Sequence, residues 1–123
     1  VLEMTLKECY DALGGDYEEA IGRLRSERLV QKFVLKFLSD GSYDLLNSSF
    51  EKEDWGEAFR AAHTIKGVCQ NLSFVALGDS SSELCEALRG GHTPEADSLA
   101  ERMRGDYQRT IQAIQAFQEE NGA

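Results

Sequence analysis

The chain is poor in the residues that break, crosslink or span. One proline, Pro94, stands in 123 residues, so little interrupts helical backbone. No apolar run approaches the length a membrane helix needs. Three cysteines, Cys9, Cys69 and Cys85, are too few and too irregular for a disulfide framework, and no C-x-x-C occurs. They read as small packed hydrophobes in a reducing cytosol, so a cytoplasmic protein is expected. Cations are outnumbered: 13 lysines and arginines against 22 aspartates and glutamates, a net charge of −9. That balance argues against nucleic acid and against an anionic membrane as partners. Only two histidines occur. Arg60, not a glutamate, precedes His63 by three, and His92 sits in a Gly-Gly-His-Thr-Pro turn as an exposed loop residue. Neither fits the Glu-x-x-His pairs of a metal-binding bundle, so no metal is expected. No G-x-x-x-x-G-K-[ST] loop is present, so no nucleotide site is expected.

The residues that are present alternate between helical patterns and glycine-rich joints. Glycines at Gly14-Gly15, Gly41 and Gly90-Gly91 separate the stretches, which favours an all-α chain with short connections. Thr5–Leu13 predicts a short helix stopped by Gly14-Gly15. Asp16, with Glu19 three residues on, restarts it with capping-box spacing. Ser26 caps a third segment whose Leu29, Val30, Phe33, Val34, Phe37 and Leu38 form an apolar stripe at helical spacing. Gly41 is placed to kink or break that helix before Tyr43–Glu53 continues. Asp54, again with an acid three residues on at Glu57, opens a helix over Trp55 to about Leu72. Ser73 reads as the N-cap of the next, with a seam of Phe74, Leu77, Ser81, Leu84 and Leu88. Ser80 and Ser82 only border that seam. Thr93 with Pro94 opens the last helix, whose inner stripe is Leu99, Met103, Tyr107, Thr110, Ile111, Ile114 and Phe117. The tail Glu119–Ala123 is expected to fray. Val1-Leu2-Glu3 ahead of Met4 reads as an appended remnant or the cut edge of a longer chain, and no secretory leader is expected. The expected architecture is an antiparallel four-helix bundle with one or two short extra N-terminal helices. A single domain over 1–123 is expected, with its core at about 26–118 and an N-terminal helical cap at about 4–25.

The stretch Phe59–Phe74, FRAAHTIKGVCQNLSF, asks for a chemical explanation. At about 100° per residue, Ala58, Ala61, Ala62, Ile65, Val68, Cys69 and Leu72 gather opposite His63 as a core face. Lys66, Gly67 and Gln70 return to the side of the histidine, at offsets of three, four and seven, with Gly56 and Phe59 near it. An exposed mid-helix histidine is thus flanked by a cation and by a glycine that weakens the helix by about 1 kcal/mol relative to alanine. Neutral imidazole is a good nucleophile for phosphorus, and histidine side chains are mostly neutral at pH 7. Lys66 could offset the charge of a phosphoryl group, Gln70 could add a hydrogen bond to the phosphate or the ring, and Gly67 leaves room for a partner to close over it. Gly56 and Phe59 would belong to the surface on which that partner docks.

The run His63-Thr64-Ile65-Lys66-Gly67 followed by Asn71-Leu72 resembles the H-x-x-K-G signature of histidine-containing phosphotransfer (HPt) domains. The lead-in EDWGEAFRAAH and the segment ALGDSSSELCEAL are similar to that family's flanking helices, and the likeness covers roughly Leu29 to Phe117. Ser73 stands where the family often has glycine, and Cys69 where it often has alanine or another small residue. The resemblance implies a phosphoryl carrier rather than an enzyme with its own ATP site. His63 would be the phosphoacceptor, Lys66 the phosphate-stabilising cation and Gly67 the small neighbour. The implied partners are response-regulator receiver domains, which would carry the Mg2+, and a hybrid sensor histidine kinase, with the chain itself a monomer. A substrate domain of a chemotaxis-type kinase and a helical adaptor that carries no phosphate are the alternatives.

Overall fold

Side-chain chemistry at the helix ends sets the register of the chain. The computed structural model describes residues 4–121; Val1-Leu2-Glu3 and Gly122-Ala123 lie outside the described residues. The described residues are helical and loop only. They form α1 (Leu6–Leu13), α2 (Tyr17–Leu24), α3 (Glu27–Lys36), α4 (Ser42–Glu51), α5 (Trp55–Leu72), α6 (Val75–Leu88) and α7 (Pro94–Glu120), with a 3-10 turn at Phe37–Ser39. Thr5, Asp16, Ser26, Asp54 and Thr93 each accept a hydrogen bond from the backbone N–H three residues on. Such caps satisfy donors that a helix N-terminus leaves free, each stabilising by about 1 kcal/mol. Among the described residues, the reciprocal capping box forms only at Thr5 and Glu8. At Asp54 the expected partner Glu57 turns instead to Arg60, 2.6 Å away.

Burial then orders the helices. One contiguous apolar cluster draws residues from α1 to α7, with Tyr10, Val34, Leu46, Ile65, Leu77, Met103 and Ile114 among its buried members. α5 packs on α4 and on α6, and α6 packs on α7. Between α4 and α7 the rings of Tyr43 and Tyr107 stack at 3.6 Å, and Arg104 donates to Asn47 while lying over Phe50. α1 runs along α7.

The N-terminal segment is latched to the α5–α6 corner by backbone. Tyr10 donates its hydroxyl to the Leu72 carbonyl, Asp16 N–H donates to Ser73, and Ala76 N–H donates to Gly14. Gly14 adopts φ of 80°, in the left-handed region that glycine enters without strain. A Cβ on Gly15 would lie 2.8 Å from the Ser73 carbonyl oxygen and 2.8 Å from the Tyr10 ring.

Several expectations are corrected here. Ser73 ends α5 rather than starting α6. It is buried, holds a left-handed φ of 58°, and donates its N–H to Cys69. Its hydroxyl is engaged by Arg23 and Glu19 from α2, so Phe74 precedes α6 without a side-chain cap. The third segment breaks at Lys36, ahead of Gly41, through the 3-10 turn and an Asp40 carboxylate that accepts from Ser42 N–H. Leu29 is 36% exposed and does not join the core. Glu119 and Glu120 stay helical and the Asn121 amide donates to the Met4 carbonyl, so these residues do not fray, while the rest of the expected frayed tail, Gly122-Ala123, lies outside the described residues. No helix of the described residues is long and apolar enough to cross a membrane.

Two outcomes follow from this packing. Gly15→Ala forces a Cβ into backbone and ring atoms and should destabilise by about 1–3 kcal/mol in urea unfolding. Burial pushes the Cys9 and Cys69 thiols up to about 12 and raises Cys85 as well. An aromatic disulfide reagent at pH 8 should therefore leave the native protein unmodified and titrate three thiols only after unfolding. Fast native labelling would show that one of these helices opens readily.

Candidate functional site

α5 positions the site because its two faces are chemically opposite. Ala58, Ala61, Ala62, Ile65, Cys69 and Leu72 are buried. Three alanines let α5 seat closely on its neighbours, while Ile65 and Leu72 each contribute about 2–3 kcal/mol of burial. With that face fixed, the helical rotation leaves His63, Gly67 and Gln70 exposed and Lys66 half-buried. Val68, assigned to the core face, is half-buried and sits at its margin.

His63 stands on a ridge between two hollows. The larger, about 690 Å³, is bounded by α5 residues His63, Thr64, Gly67, Val68 and Asn71 and by Phe33, Lys36, Phe37 and Asp40 from the α3 end. The smaller is bounded by Phe59, Arg60, His63, Thr64 and Arg89. His63 and Thr64 line both. The floor of the larger hollow is apolar and its rim carries one cation, Lys36, and one carboxylate, Asp40. The 690 Å³ is in the range of a cleft that accepts a side chain or a short segment of a partner.

The charges around the ridge divide into held and unheld. Arg60 pairs with Glu57, and Arg89 makes a two-pronged pair with Glu86 at 3.0 and 3.2 Å while its guanidinium lies 5.3 Å above the Phe59 ring. Phe59 in turn tilts towards His63, with ring centroids 6.2 Å apart. The neighbouring guanidinium holds the Glu86 carboxyl below its ordinary range. Lys36 and Lys66 have no carboxylate within 4.0 Å among the described residues. Lys66 lies towards α6, close enough to act electrostatically on Cys85 and Glu86. An unpaired ammonium beside the histidine is available to an incoming anion without first breaking an ion pair.

The candidate residues do not all converge. His63, Lys66 and Gly67 share one helical turn and a half. A Cβ built on Gly67 meets nothing within 4 Å, so no packing inside the molecule requires a glycine there. Gln70 lines a separate depression with Glu19, Arg23, Ser73 and Ser82, roughly 10 Å along the axis from His63. Gly56 is exposed at the opposite end, about as far away, with Arg60 as its neighbour. Phe59 is half-buried at the edge of the smaller hollow. Reading along the sequence did not assign Lys36, Asp40 or Arg89 to this region, because folding alone brings positions some 25 residues apart onto one ridge. His92 is an exposed residue of the α6–α7 connection, as expected, and it also stacks on Trp55 at 4.2 Å and bonds Asp97 at 2.8 Å.

The sequence model of the Hpt domain matches residues 37–119, about two-thirds of the chain. The chain belongs to the Hpt family. No curated protein and no solved structure matches it. Membership in the Hpt family carries histidine phosphotransfer in two-component signalling, with receiver domains and histidine kinases as the interacting classes. The matched span runs from the 3-10 turn through α7, so it contains His63, Lys66 and Gly67 and excludes α1, α2 and α3.

Gly67→Ala should raise stability by up to about 1 kcal/mol, since alanine favours the helix and meets no neighbour. Thermal unfolding measures this, and a loss of stability would show that Gly67 is there for packing.

Proposed function

We propose that this Hpt-family chain is a phosphoryl relay in which His63 accepts a phosphoryl group from a receiver aspartate and passes it to another. The observation that carries this reading is the combination on one exposed turn of α5: a solvent-accessible imidazole, an unpaired lysine, and a glycine that nothing inside the protein requires. In the step, the unprotonated ring nitrogen of His63 attacks phosphorus. The phosphorus–oxygen bond to the receiver aspartate breaks, the phosphorus–nitrogen bond forms, and the ring N–H proton passes to solvent. Transfer is in line and depends mainly on positioning and charge stabilisation. Lys66 lies about 4.5 Å further along the axis and supplies a donor to a phosphoryl oxygen. The Mg2+ belongs to the receiver, and this chain supplies no nucleotide site. Gln70 is left outside the phosphoryl shell, since its hollow faces α2.

In this reading the core at about 26–118 is an antiparallel four-helix bundle whose first rod is broken between α3 and α4. Residues 4–25 cap the α5–α6 corner of a cytoplasmic, monomeric domain. Support comes from the consecutive packing of α4, α5, α6 and α7 and from the latch at Gly14-Gly15.

The test is to mix the protein with receiver domains loaded by a small phosphodonor and Mg2+, and to look for an acid-labile, base-stable phosphate by intact mass. His63→Gln should abolish the adduct with an unchanged melting temperature, because the ring is exposed. An adduct that persists in that variant would reassign the acceptor. Lys66→Ala should slow transfer roughly 10- to 100-fold, the worth of one charge-assisted hydrogen bond. An unchanged rate and phosphohistidine lifetime would remove it from the site. Absence of any adduct, with phosphorylation by a chemotaxis-type kinase and ATP, would replace the relay with a kinase substrate domain.

A further inference from the structure

The molecule is acidic, and of its six cations without a carboxylate or carbonyl partner among the described residues, four fall between Arg25 and Lys36, the others being Lys52 and Lys66. Between Arg23 and Lys36 the sequence places five cations, Arg23, Arg25, Arg28, Lys32 and Lys36, against one carboxylate, Glu27, in a chain of net charge −9. Elsewhere, Lys7, Arg60, Arg89, Arg102 and Arg104 are each paired with a carboxylate. Arg109 is bonded to the Ala12 carbonyl. Arg25, Arg28, Lys32 and Lys36 have no carboxylate within 4.0 Å among the described residues, and the single acid, Glu27, accepts instead from the Tyr17 hydroxyl.

Helical geometry turns three of these into a track. Arg28, Lys32 and Lys36 follow one another at intervals of four, so each stands one turn beyond the last and about 40° further round α3. Arg28 and Lys32 are exposed, and Lys36 lies on the rim of the 690 Å³ hollow that His63 and Gly67 also line. Leu29 lies beside the track, 36% exposed. The ridge therefore leads along the surface to the phosphoryl site, on the α3 side. On the α6 side, Arg60 and Arg89 are already neutralised by Glu57 and Glu86, which leaves Lys66 as the single unpaired cation there against three in the α3 track.

We infer that α3 is an electrostatic docking rail: the acidic, Mg2+-binding face of a receiver domain approaches His63 from the α3 side, guided by Arg28, Lys32 and Lys36. The inference rests on the relay reading and adds the direction and charge of the approach. The occupant is argued from complementarity. The proposed donor carries its phosphoryl group on an aspartate beside Mg2+, and α3 holds the densest run of unpaired cations among the described residues. Attraction of this kind acts on encounter more than on the bound complex, and salt weakens it over a length of about 10 Å at 0.1 M. α3 lies outside the span that the family model matches.

The experiment compares wild type with Arg28→Gln/Lys32→Gln and with Lys7→Gln/Lys52→Gln, which remove equal charge from other surfaces. The donor is a set of receiver domains preloaded with acetyl phosphate and Mg2+. The second-order transfer rate to His63 is measured at 25 and 300 mM NaCl, with the rate at saturating receiver as a separate readout. Removing Arg28 and Lys32 should lower the second-order rate about 5- to 20-fold at 25 mM NaCl, flatten its salt dependence and leave the saturated rate within twofold. The Lys7/Lys52 variant should stay within twofold of wild type throughout. Equal rates and equal salt slopes for all three proteins would overturn the rail while leaving the relay intact. Failure of every receiver to phosphorylate wild type would overturn both. Sedimentation with vesicles of 30% phosphatidylserine in phosphatidylcholine supplies the remaining arm. Binding that disappears in Arg28→Gln/Lys32→Gln would reassign the ridge to lipid, and no binding is expected.

Discussion

The burial of one face of α5 is the constraint on which the rest depends. Its small and apolar residues can be covered only by α4 on one side and α6 on the other, and that requirement fixes the rotation of the helix about its axis. Once the rotation is fixed, His63 has nowhere to point but outward, and the lysine and glycine that follow it are carried to the same exposed strip. Chemistry at this site is a by-product of packing: no loop, lid or strained backbone is needed to present the imidazole. A helix also holds its side chains at defined spacing, so a partner meets a surface that is already organised and loses little to ordering it.

The charge distribution supports the same division of labour. Cations that sit within reach of carboxylates serve the surface of the fold, each for a few tenths of a kcal/mol when exposed. Of those left without partners among the described residues, three stand on α3 and one is Lys66, the others being Arg25 and Lys52. A protein of this net charge repels most acidic surfaces, so the proposed rail would favour one orientation of an acidic partner through a local reversal of sign on α3.

The long helix α5 was legible in the sequence to its ends, because Asp54 is an unambiguous cap and its alanine-rich face is uninterrupted. So was the opening of α7 at Thr93-Pro94, where two independent rules agree. What stayed hidden was decided by contacts between distant residues. Ser73 has the chemistry of an N-cap, but Arg23 and Glu19 claim its hydroxyl and Gly14-Gly15 docks on its backbone, and no local pattern announces either. Gln70 falls on the same side as His63 by angle alone, but the axial rise moves it about two turns beyond His63 and next to α2. Lys36 and Arg89 flank the histidine only because α3 and the end of α6 fold against α5. The angle of a helical wheel was thus readable, and distance along the axis and across helices was not.

The stack of His92 on Trp55 has a practical side. Trp55 is the chain's sole tryptophan, and it begins α5 one helical turn before Phe59. The imidazole against it comes from the α6–α7 connection, three residues after the arginine that covers Phe59. Indole emission is sensitive to a ring in van der Waals contact. The protein therefore carries an unlabelled optical gauge at the edge of the proposed site, whose colour and intensity should follow the position of the α6–α7 connection without any dye being attached.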